Sequence, residues 1–209
     1  MRVTRLVAGG AAFGAGTLQV LEVFARGLWE AAGRSRVELL ANLLGDGSVL
    51  FAAAAGAGLY LVVRGHLGSR ERQVADLGGI VFGLAAFLAL LAVVYDLFWI
   101  LWGPVLYGQA TVPAPSVISQ VPFLAVWMGL LLAGAASVRA SSLGGWRYLA
   151  LGLALVSFPT PVVVAALTPL ESGLGIRATG LPMLLPAGGW ILAGSFLIGA
   201  KVPARAAGA

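Results

Sequence analysis

The stretch Leu77–Trp102, LGGIVFGLAAFLALLAVVYDLFWILW, decides how the rest of the chain is read. It is longer than the roughly 20 apolar residues that an α-helix needs to cross a bilayer, and it holds one charge, Asp96. Five more apolar segments accompany it: Leu6–Phe24, Ser48–Val63, Val117–Val138, Trp146–Leu167 and Leu181–Ala200. Of the 209 residues, 60% are hydrophobic and 10% charged, and the mean hydropathy is +0.97. A soluble domain has about 45–50% apolar and about 25% charged residues, and a chain this size must still cover itself with polar surface. The fold class expected is therefore all-α: a single polytopic domain over residues 1–209, an integral membrane bundle of about six transmembrane helices. Soluble enzymes, DNA-binding modules and disordered tails are excluded.

Residue counts exclude several chemistries. With no cysteine and one histidine, His66, the chain holds no thiolate zinc site, iron–sulfur cluster, disulfide or bis-histidine haem. No cofactor and no metal site are expected. His66 lies in Arg64-Gly65-His66-Leu67-Gly68-Ser69-Arg70, a solvated basic loop beside lipid phosphates, so a His-based triad on Ser48 or Ser195 fails. The sole lysine, Lys201, follows the last span, which disfavours a retinal protein.

Arg2 and Arg5 before the first apolar run resemble a signal peptide, but the run continues through Val20, Val23 and Phe24 and reads as a retained helix. Orientation follows from basic residues in the loops. Arg2, Arg5, Arg64, Arg70, Arg72, Arg139, Arg147, Lys201 and Arg205 fall on one side, and Arg26, Arg34, Arg36 and Arg177 on the other. The first side is expected to be cytoplasmic, which puts both termini inside the cell membrane. The formal charge of +5 then reflects topology and anionic lipid rather than nucleic acid. The partners expected are the lipid bilayer, anionic headgroups at the cytoplasmic face, and either a second copy of the chain or a partner membrane subunit; no nucleic acid is expected.

Local signals add detail. Ser35–Leu44 reads as a short amphipathic helix with Val37, Leu40, Ala41 and Leu44 on one face, lying in the outer interface. Gly45-Asp46-Gly47-Ser48 is expected to break the chain before the second span, with Asp46 capping that helix. Trp29, Trp99, Trp102, Tyr107 and Trp127 are candidates for the aromatic belts. Pro159 and Pro161 should kink the fifth span, for packing or as a gate. Small residues four apart (Gly10 with Gly14, Ala52 with Gly56, Ala54 with Gly58, Gly79 with Gly83) allow close helix approach. No inverted repeat is visible between the two halves.

The functional signal is a set of acids in apolar surroundings. An ionisable residue at mid-membrane costs at least about 2.5–3.5 kcal/mol, so it needs a partner or a purpose. Glu22 lies late in the first span, Asp46 at the mouth of the second and Asp96 late in the third. Because successive spans alternate in direction, all three should gather in the outer third of the membrane. Gln19, Asn42, Tyr95 and Trp99 are close by in sequence, and Arg26, Arg34 and Arg36 are candidate ion-pair partners. Glu22 has an i,i+4 partner in Arg26. Asp96 has no basic residue within a turn, so it must be neutral, paired across helices or bathed in water. Tyr95-Asp96 matches part of the intramembrane aspartyl protease pattern. The second half, Leu43-Leu44-Gly45-Asp46, lacks a glycine and the order is reversed, so that family is not assigned.

The expected function is a non-enzymatic accessory or small-ligand-binding role, with an outward-facing polar pocket between helices one to three. The alternatives are a proton- or cation-coupled small-solute carrier using Asp96, and a membrane-embedded enzyme acting on lipid or peptide.

Overall fold

In a bilayer the backbone must satisfy its own hydrogen bonds, and a leucine- and alanine-rich chain does so as helices. The computed structural model describes residues 2–32, 35–107, 116–157 and 184–199, with side chains for 2–26, 39–105, 120–157 and 184–199. All its regular structure is helical: α1 (Arg2–Ala32), α2 (Ser35–Arg64), α3 (Ser69–Tyr107), α4 (Ser116–Val138), a 3₁₀ helix (Ser141–Tyr148), α5 (Leu149–Ser157) and α6 (Leu184–Gly199). Each α-helix packs on the next in chain order where both are described. α6 returns to α1, so that the six close into a ring, with α2 and α4 also touching across it. Four helical stretches are long and apolar enough to cross a membrane: Arg2–Arg26, Leu39–Arg64, Ser69–Val105 and Gln120–Val138. α6 is equally apolar but shorter, and the expected fifth span is described only as far as Ser157. Pro159 and Pro161 lie outside the described residues. So do the side chains of Trp29, Arg34, Arg36 and Tyr107.

The interior is built from small residues. Ala8, Ala12, Ala15, Ala53, Ala85 and Ala154 are buried, while Ile80, Phe87, Val94, Leu101 and Val105 of α3 face outward. That inversion suits an apolar solvent, in which helices associate by close packing rather than by the hydrophobic effect. One large residue fills the middle: the fully buried Phe82 ring lies against Gly56 of α2 and Gly129 of α4, in space that a Cβ at either glycine would occupy. Of the small-residue pairs expected from sequence, Gly14 meets Phe51, Gly58 meets Ala8 and Gly79 meets the Tyr60 ring, whereas Gly10 and Gly83 face open space. The closest backbone approach joins α1 to α6 through Gly9, Gly16 and Gly194.

Two expectations need correction. α2 runs unbroken from Ser35 to Arg64, so there is no separate interfacial helix and Asp46 caps nothing. Gly45 and Gly47 keep helical backbone, since the only positive φ among the described residues is at Gly144. Ser48 turns its hydroxyl back to Gly45 O at 2.7 Å instead of opening a turn. A glycine inside a helix costs about 1 kcal/mol, and Gly45 offsets this by admitting Glu22: a Cβ there would sit 2.9 Å from the Glu22 carboxyl. The second correction concerns Trp99, which is buried inside the bundle with Tyr95 and Phe98 around it rather than facing an interface. Trp102 is exposed, as a belt residue is, and Trp127 Nε1 donates to Ala154 O at 3.2 Å, tying α4 to α5.

At the far ends of α2 and α3, Asp76 accepts from Tyr60 Oη at 2.6 Å and from Arg64 Nε at 2.8 Å. Both charged groups are well exposed, and water screens an exposed pair so that it contributes little. Asp76→Asn should therefore leave the midpoint of an unfolding titration nearly unchanged; a clear loss would mean that this clasp is desolvated.

Candidate functional site

Three buried carboxyl groups follow one another across α1, α2 and α3, with Asp46 of α2 near both Glu22 of α1 and Asp96 of α3. Glu22, Asp46 and Asp96 are 7%, 7% and 2% exposed. Arg26, one turn after Glu22 on α1, binds it through Nε and Nη2 at 2.9 and 2.8 Å. The same guanidinium donates to Asn42 Oδ1 on α2 at 3.4 Å. The Glu22–Arg26 pair is thus a bridge from α1 to α2, and Gly45 supplies the gap into which the carboxylate fits.

Asp46 and Asp96 do not share that guanidinium by hydrogen bond. Their carboxyl groups face one another across α2 and α3 within hydrogen-bonding reach. Two ionised carboxylates have four acceptor oxygens and no donor, so a bond between them requires a proton held by the pair. Burial argues the same way, because like charges in a poorly solvated site cannot both persist. The second Asp96 oxygen, Oδ2, is buried with no hydrogen-bond partner. The pair is therefore incompletely satisfied. On α3, Tyr95 and Trp99 flank Asp96 in the chain, their rings 6.2 Å apart.

The expected residues divide accordingly. Glu22, Arg26, Asn42, Asp46 and Asp96 come together. Gln19, although one turn from Glu22, lines a separate small cavity in the centre of the ring with Ser157, Trp127 and Trp190. An open apolar groove of about 470 Å³ lies between α5 and α6, and neither it nor the small cavity is lined by the three acids. His66 is remote from the cluster, with its carbonyl near Ser142 in the 3₁₀ helix after α4. Among the described residues no group of three or more His, Cys, Asp and Glu side chains is placed to hold a metal ion. Ser157 and the central cavity had no signal in the sequence, since a serine within an apolar helix reads as a back-bonded hydroxyl.

The site has bonds to give to a proton and one cation fixed at its edge. No protein-family model matches the chain, and no curated protein or solved structure was found similar to it. The functional reading therefore rests on this geometry alone.

Proposed function

We propose that this chain is a multi-pass membrane protein of six spans, non-enzymatic, in which the Asp46–Asp96 pair holds a proton between α2 and α3 in an accessory or small-ligand-binding role. The observation that carries the reading is the approach of two buried carboxyl groups with no guanidinium bonded to either among the described residues. Arg26, the described member of the candidate ion-pair partners, is committed to Glu22 and Asn42 and makes no hydrogen bond to the Asp46–Asp96 pair. Intramembrane carboxyls of this kind serve proton relays and ion paths. The distribution of nine basic residues against four supports placing both termini in the cytoplasm of the cell, with anionic headgroups as their partners.

Infrared spectroscopy of the protein in lipid tests this directly. At neutral pH the wild type should show the carbonyl stretch of a protonated carboxyl group, and Asp96→Asn and Asp46→Asn should each lose it. A wild type without the band, or a band retained in both variants, would overturn the proposal.

A second reading, a proton- or cation-coupled carrier, is favoured by the unpartnered Asp96 Oδ2, because a group that exchanges partners cannot be locked into a complete network. In proteoliposomes carrying a pH-sensitive dye, the wild type should then dissipate a pH gradient and Asp96→Asn should not. Equal rates would end the carrier reading while leaving the proton-binding one standing.

A further inference from the structure

The hydroxyls of Thr17, Ser48, Ser137 and Ser195 each donate to a carbonyl three or four residues earlier on their own helix. Ser157, at the end of α5, does not: its Oγ is buried with no partner. Gln19 Oε1 on α1 is in the same condition. Ser157 and Gln19 are 4% and 9% exposed, and they come from α5 and α1, the two helices that flank α6 in the ring.

Both line one cavity of about 10 Å³ at the centre of the bundle, walled otherwise by apolar side chains of α2, α4 and α6 such as Val49, Leu130 and Trp190. Because each atom lacks any partner within hydrogen-bonding distance, they do not bond to one another. A buried amide oxygen or hydroxyl left unpaired in an apolar medium is costly, and about 10–15 Å³ is the space that one water occupies. An amide oxygen can only accept, while a hydroxyl both donates and accepts. A water can therefore donate to Gln19 Oε1 and exchange either kind of bond with Ser157 Oγ.

We propose that this cavity is a binding site for a single structural water that bridges Gln19 on α1 to Ser157 on α5 through the middle of the ring. The space admits nothing larger, and no other pair of unsatisfied buried side-chain atoms among the described residues lines that cavity.

A structure of the full chain in a lipid nanodisc, at a resolution that shows ordered water, should have a peak within hydrogen-bonding distance of both side chains. The peak should be absent in Gln19→Leu. No peak in the wild type, or a direct Gln19–Ser157 hydrogen bond, would overturn the proposal. Thermal unfolding gives an independent check. Once one partner is gone the water has lost its bridge, so Gln19→Leu combined with Ser157→Ala should lower Tm by less than the sum of the single shifts. Additive shifts would count against a bridge.

Discussion

Gly194→Leu should leave little folded protein, and Gly194→Ala should lower stability by about 1–3 kcal/mol, the range for overpacking a tight interior. A Cβ at Gly194 would lie 2.7 Å from both Gly9 O and Phe13 N, and 3.1 Å from Phe13 Cα. These are backbone atoms of α1, so no rotamer relieves the clash and the two helices must separate. Separation would also open Gly16, whose own Cβ position is 2.5 Å from Ala187 O. α6 carries an internal control in Gly188, which has open space around it. Gly188→Ala should be neutral or slightly stabilising, since alanine is the better helix former by about 1 kcal/mol. Unfolding of the purified protein in mild detergent compares the two. If Gly194→Ala melted with Gly188→Ala, the α1–α6 contact would not be the seam that closes the ring.

The second large effect is expected at Arg26. Removing one partner of a buried ion pair costs about 3–5 kcal/mol, because the other charge is left uncompensated. The Arg26 side chain is 38% exposed, whereas that of Glu22 is 9% exposed. Solvent screening of the guanidinium brings the expected loss for Arg26→Met to about 2–3 kcal/mol. The sign of a second substitution makes the test specific. Glu22→Gln removes the stranded carboxylate, and the double variant should recover most of the stability lost by Arg26→Met alone. A double variant less stable than either single one would mean that Arg26 acts through Asn42 or through packing, not through charge.

The two predictions draw on different levels of the sequence. The class of the protein was legible in composition, and the positions of α3 and α4 in uninterrupted apolar runs, because burial in hydrocarbon leaves little choice of residue. The meeting of Glu22, Asp46 and Asp96 followed from the alternating direction of three successive spans. The path of α2 did not follow. Gly45-Asp46-Gly47-Ser48 has the composition of a turn, and in water it would be one. Here the helix continues, because opening it would free backbone groups with no water to bind and would remove the gap that Glu22 occupies. The α1–α6 seam was also hidden. Gly9 and Gly16 are seven apart, which places them on one face, but nothing in either residue names Gly194 as the partner. Trp99 was misplaced because an indole suits an interface and a bundle interior equally.

The unbroken course of α2 also fixes a depth. Asp46 and Arg64 are 18 residues apart on that helix, and Asp76 and Asp96 are 20 apart on α3. At 1.5 Å per residue these intervals are about 27 and about 30 Å, close to the roughly 30 Å of a bilayer's hydrocarbon. The Arg64–Asp76 clasp and the carboxyl pair are thus about one hydrocarbon thickness apart along the two helices. Under the proposed function, a proton on the pair would be a short step from one compartment and nearly a full bilayer from the other.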